Sequence, residues 1–429
     1  MLDVTMHINQ SSLNIAIKNG DFFNLSTGDC LQLLKQEYAV ELDWLKTAYS
    51  VPGPTSERFN TLSPSLHLYD TEFDEVNRTL VSVLSLRWIY NKDYDTFVSH
   101  QIPHIKLTQF QRVTNINISR LNHDMILYQV VSKYPHLVPS ISQLPPPHKA
   151  DLILGIQLGA EFNFGQLAQA ENVPASLLGV AAMKGHVRAF DLRFMEQILD
   201  IAGAAGHVDH ICAKKLTEPV FQAFKNVYDV SIGIIEGRLG VREAYDLNLR
   251  KRVELLINVG WEKGREFDIS EPVYRAVMRL LCTANSSDIG SADLIYDTFF
   301  EVLGEDSRCF LVQGLNSDGS LERPAVQATY IPAVCSATIG ATKNCTKSEQ
   351  RKALAAVFRY LARTLHVDVE QVQKKLPPGV TVIERDIRRT ILDIVHSDEF
   401  PGNPDILDNV DLPNDEIANM AVGYEWIIV

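Results

Sequence analysis

"TKSEQRKALAAVFRYLARTLHVDVEQVQKKLPPG", residues 346–379, decides the fold class. Thr346 and Glu349 make a T-x-x-E capping box, which satisfies two free N–H groups at a helix start. Leu354, Val357, Leu361 and Leu365 recur at helical spacing and form one apolar stripe. Lys374 and Lys375 complement the dipole at the far end, and Pro377-Pro378-Gly379 stop the run. The pattern predicts one long amphipathic helix through residue 375. His366 falls beside the stripe, in line with Ala355, Arg359, Ala362 and Val369. Small alanines in that line leave room for a flat group against the helix.

The same periodicity recurs at "DEVNRTLVSVLSLRWIY" (74–90) and "AFDLRFMEQILDIAG" (189–203). Strand alternation is sparse. Residues 311–331 hold a turn at "NSDG" and one or two extended pieces. The expected class is mainly α. Two Pro-rich breaks occur, "VPGPTSE" (51–57) and "QLPPPHKAD" (143–151). The second predicts a link between a smaller N-terminal lobe, 1–143, and a larger helical lobe, 150–429. "LTEPVFQAF" (216–224) and "ISEPVYRAV" (269–277) echo one another as helix starts, a hydroxyl cap followed by proline in the first turn.

Composition narrows the function classes. The 429 residues are 46% hydrophobic and 22% charged, ordinary for a soluble globular protein. No apolar run reaches membrane-spanning length, and the opening "MLDVTMHINQ" has no secretory pattern. Six scattered cysteines without a CxxC pair point to a reducing, cytoplasmic setting. A formal charge of −13 argues against nucleic acid as partner, and "LNLRKRVELL" (247–256) reads as an exposed helix face. GxSxG, HExxH, GxGxxG and the phosphate-binding GxxxxGK[ST] are all missing.

Three groups of residues carry possible chemistry. "DIAGAAGHVDH" (200–210) sets Asp200, His207 and His210 at spacings that share one helical face, a potential zinc or iron site. Gly203 and Gly206 favour the other reading, a helix end whose histidines meet the last carbonyls. His100, His104 and the pair His123-Asp124 follow an H…HD order used by metal-dependent phosphohydrolases, although Pro103 separates the first two. The third is His366.

Residues 269–375 resemble the second half of the indoleamine/tryptophan 2,3-dioxygenase superfamily, which includes monodechloroaminopyrrolnitrin synthase. "SEPVYRAVMRLL", "GSADLIYDTFFEVLG", "AVQATYIPAV" and "ARTLHVDV" occur in the family's order. The resemblance implies a large helical haem-binding lobe and an oxygenase acting with O₂ on an aromatic amino acid or indole-like molecule. It implies haem b, with His366 as proximal ligand and Arg363 beside a propionate. It assigns a substrate carboxylate to Arg279, with Arg275 as competitor. Two other readings stand beside it: a non-haem zinc or iron enzyme built on Asp200, His207 and His210, and a helical binding or scaffold protein.

Overall fold

Helix-forming sequence dominates because apolar residues return every three or four positions and prolines sit at helix starts. In the computed structural model, 68% of the described residues are helical and 4% are strand. The fold is mainly α. The structure describes residues 144–203, 216–367 and 381–417, with residues 128, 131 and 132. Among them, the described parts of 1–160 and 185–225 belong to one compact unit, and those of 161–184 and 226–425 to a second.

The elements run in chain order: α1 (Pro146–Glu161), α2 (Phe164–Ala168), α3 (Leu178–Ala181), α4 (Val187–Gly203), α5 (Glu218–Ile235), α6 (Val241–Asn258), α7 (Pro272–Thr283) and α8 (Ile289–Asp297). A π-helical turn, Thr298–Val302, continues α8. Then come α9 (Glu305–Asn316), β1 (Ala325–Thr329), α10 (Ile331–Ala341), α11 (Lys347–Leu365), β2 (Val382–Asp386), α12 (Arg388–Val395), a 3₁₀ turn (Pro404–Asn409) and β3 (Glu416–Ile417).

The Pro-rich stretch at 143–151 leads into a helix. Pro146 and Pro147 open α1, where a missing N–H costs nothing. In the first unit, Phe190 stacks on Phe194 with centroids 6.2 Å apart, and Arg193 pairs with Glu196 at 2.9 Å in the interior.

The second unit is built around α11. Its start is as expected: Thr346 Oγ1 accepts from Glu349 N at 3.3 Å, and Thr346 N donates to Glu349 Oε2 at 2.8 Å. Its end is not. The helix stops at Leu365, ten residues before the predicted terminus, and His366 turns extended at φ −66°, ψ 127°. Arg385 of β2 explains the stop, since its Nη1 donates to the carbonyls of Thr364 and His366. Lys374, Lys375 and Pro377–Gly379 lie outside the described residues.

Helix α9 packs on α11 at Gly314, where a Cβ would lie 2.6 Å from that of Leu365. The turn at "NSDG" places Gly319 at φ +78°, a left-handed conformation that glycine adopts without strain. Strand β1 then pairs in parallel with β2, Ala325 opposite Val382 through Thr329 opposite Asp386, and β3 adds antiparallel to β2. Both proline echoes start helices, α5 and α7. The cap of α7 is Glu271, not the expected Ser270 hydroxyl, because Ser270 turns its N–H to Asp268 Oδ1 at 2.8 Å. In "LNLRKRVELL", the expected exposed face is partly buried: Arg252 is in the interior and Lys251 pairs with Asp229 at 2.8 Å.

Candidate functional site

The short sheet brings polar side chains into the interior. Side chains of a strand alternate between faces, so Ala325, Gln327 and Thr329 share one face of β1. Parallel pairing sets them beside Val382, Glu384 and Asp386 of β2. Ala325 and Val382 pack on Val173 and Ala175. Next along this face, Gln327 Nε2 donates to Gln166 Oε1 at 3.0 Å. Gln327 is 1% exposed, and its amide oxygen accepts from no protein donor. The same is true of Asn172 Oδ1. A buried acceptor without a partner costs free energy, and native proteins rarely keep one without a use.

Glu171 sits at the end of this face. Tyr330, just past β1, adopts φ 69°, ψ 20°, which swings the chain from strand into α10. The first amide of α10, Ile331 N, donates to Glu171 Oε1 at 2.8 Å. Glu171 thus occupies a helix N-terminus, where N–H groups and the dipole favour a negative charge. Burial nevertheless pushes its carboxyl up to about 8, against the pull of the Ile331 and Tyr330 amides. The Glu384 carboxylate adds to the rise, and Arg279 opposes it. Glu384 is half-buried and also titrates above the usual carboxylate range. Burial is the main cause, the Thr329 hydroxyl opposes it, and Glu416 and Asp386 reinforce it. With its carboxyl at about 8, Glu171 keeps its proton near neutrality, and the Glu384 carboxylate reinforces that. Cys335, one turn into α10, is buried with its thiol pushed up to about 12, which keeps it protonated. Outside, the Arg388 guanidinium lies over the Tyr330 ring, 3.9 Å from its centroid.

Arg279 is the base of this site. Its Nε donates to Ala170 O at 2.9 Å, and Nη2 to Glu171 O and Asn172 O at 3.0 and 2.8 Å. Nη1 donates to Leu315 O at 2.9 Å. The Tyr245 hydroxyl also donates to Ala170 O and Asn172 O. The guanidinium, 1% exposed, therefore ties down the segment that carries Glu171. The group expected to clamp a substrate carboxylate thus gives its donors to four main-chain carbonyls. Arg275 is committed to Asn316 Oδ1 at 3.2 Å and to Asp246 at 3.3 Å.

The residues that the resemblance assigns to a haem are packed against the chain or exposed. Ala355 and Ala362 are 1% and 2% exposed, so the space they leave is filled by the chain. The turn Pro404–Asn409 packs on α11, and Arg359 binds its Asp405 and Asp408 at 2.6 and 2.8 Å. Arg363, expected beside a propionate, donates to Leu407 O at 2.6 Å and Val410 O at 3.3 Å. His366 is exposed past the helix end, its ring edge-on to Phe310 at 5.2 Å. Helix α4 carries Asp200 near its end, while His207 and His210 lie outside the described residues. So do His100, His104, His123 and Asp124. Among the described residues, no group of three or more His, Cys, Asp or Glu is placed to hold a metal ion, and no helix is long and apolar enough to cross a membrane.

Comparison with known families adds membership. A family model covers residues 31–116 and 108–407. The chain belongs to DUF6829, a family of unknown function. No curated protein and no solved structure matches it. Within this DUF6829 chain, sequence reasoning missed Glu171, Gln327, Tyr330 and Glu384. A signal was present: "AQAENVPAS" and "AVQAT" place acids and amides inside runs of small apolar residues.

Proposed function

We propose that the chain is an enzyme that transfers protons on a small polar substrate, bound at the carboxyl ends of β1 and β2. Glu171 is the general acid and Glu384 the base that accepts a proton in return. The observation that carries this reading is the buried Glu171 carboxyl. It accepts from the first amide of α10 and feels the charge of Glu384, while Gln327 of the same unit keeps an unpaired amide oxygen. When Glu171 gives up its proton, the α10 amides stabilise the anion left behind. The Gln327 oxygen can accept from a substrate hydroxyl or amine. Gln166 and Glu384 are half-buried, so the cluster reaches the surface on their side. Arg388 lies over Tyr330 at the rim and pairs with Asp386 at 3.2 Å.

The test is a thermal-shift screen of small carboxylated, phosphorylated and hydroxylated metabolites, followed by turnover assays of the binders. Glu171→Gln should retain binding and lose roughly 10²–10⁴ in turnover, the usual contribution of a positioned acid or base. An absence of stabilising compounds, or full turnover by Glu171→Gln, contradicts the reading.

A further inference from the structure

A second face of the same unit, formed by residues 259–306, is aromatic, apolar and acidic together. Phe267 stacks between Tyr274 and Tyr296, with centroids 4.9 and 6.1 Å apart and both interplanar angles 18°. Phe300 extends the row from Tyr296 at 4.6 Å. All four rings are half-buried. Four large apolar residues of the same segment are exposed: Val259 at 53%, Ile289 at 43%, and Val273 and Val302 at 39% each. Phe300 belongs to the π-helical turn Thr298–Val302, and such turns recur at functional sites. The exposed charges are one-sided. Glu266, Asp268, Glu271, Asp288, Glu305 and Asp306 face solvent, while Glu262 pairs with Arg265 and Glu301 with Arg351.

The chain itself shows what this face accepts. The Lys263 ammonium lies 4.7 Å from the Tyr296 ring centroid and bonds Asp293 at 3.0 Å and Asp297 at 2.8 Å. We infer that the face docks a basic amphipathic segment of a partner protein. Its apolar side chains would cover Val273, Ile289 and the ring edges, and its lysines or arginines would meet the acidic rim. Apolar residues exposed together on a surface mark interaction sites, and a negative rim selects a positive partner.

The experiment is fluorescence anisotropy of a labelled Leu/Lys amphipathic peptide against the full chain, with a matched Leu/Glu peptide. The test variant is Val273→Asp with Ile289→Asp. Both positions lie in first turns of helices, where Asp is favourable, and the change makes the face more negative. The Leu/Lys peptide should bind, the Leu/Glu peptide should not, and the variant should weaken binding about tenfold or more. Failure of the Leu/Lys peptide to bind overturns the inference. So does equal or tighter binding by the variant, which reduces the effect to attraction by a chain of charge −13. A wild-type dimer in sedimentation that the variant dissociates also overturns it, since the occupant is then a second copy.

Discussion

Replacing Arg279 by Met keeps the stem's volume and removes the fork that holds residues 170–172. Four main-chain carbonyls lose a charged donor in the interior. Those of Ala170 and Asn172 keep the Tyr245 hydroxyl, so the cost concentrates on Glu171 and Leu315. At about 1–3 kcal/mol for each buried carbonyl deprived of its donor, the loss is roughly 2–6 kcal/mol. That is a large share of the roughly 5–15 kcal/mol that holds a domain folded. Urea unfolding followed by circular dichroism measures it as a drop in midpoint at unchanged slope. Arg279→Lys should recover little, because one ammonium cannot span carbonyls on two segments. A loss below about 1 kcal/mol for Arg279→Met would refute the tie and return Arg279 to the pool of ligand-binding groups.

Other perturbations follow from the same structure. The folded Glu171 carboxyl is raised from 4.5 to about 8, so the folded state holds a proton that the unfolded state releases. Stability is therefore full below about pH 4.5 and falls as pH rises toward 8, by an amount on the order of 5 kcal/mol. Glu171→Gln should flatten that part of the pH profile of the urea midpoint, and an unchanged profile would contradict the assignment. Gly314→Ala drives a methyl against Leu365 and should cost about 1–3 kcal/mol in the same assay. Thr346→Ala breaks the capping box of α11 and should cost about 1 kcal/mol. His366→Ala should change stability by less than about 0.5 kcal/mol, since the side chain is exposed. It should also leave any haem titration of the protein unaltered. A Soret band that depends on His366 would reinstate the haem reading.

The sequence shows the parts of the fold that local chemistry decides. The Thr346–Glu349 box, the prolines that open α5 and α7 and the glycine turn at 319 are all readable from a few residues. The end of α11 was not, because Arg385, twenty residues beyond, supplies the cap. The alanines along α11 suggested space for a flat ligand, and both are buried in the chain. Small residues signal close approach without saying of what. The site was hidden for a related reason. It depends on parallel pairing of β1 with β2, which are 53 positions apart from Thr329 to Val382, and on a carboxyl from a loop 160 positions before the amide it caps. A motif scan finds residues grouped along the chain, and this group forms only in space.

The central claim is that the buried Glu171 carboxyl holds its proton at neutral pH. Infrared spectroscopy reads this directly, because a protonated carboxyl has a C=O stretch that a carboxylate lacks. The account predicts a buried carboxylic-acid band in the wild-type protein at pH 7 that titrates away with a midpoint of about 8 and is missing in Glu171→Gln. A wild-type spectrum without that band at pH 7, or one in which Glu171→Gln leaves it unchanged, would contradict the account.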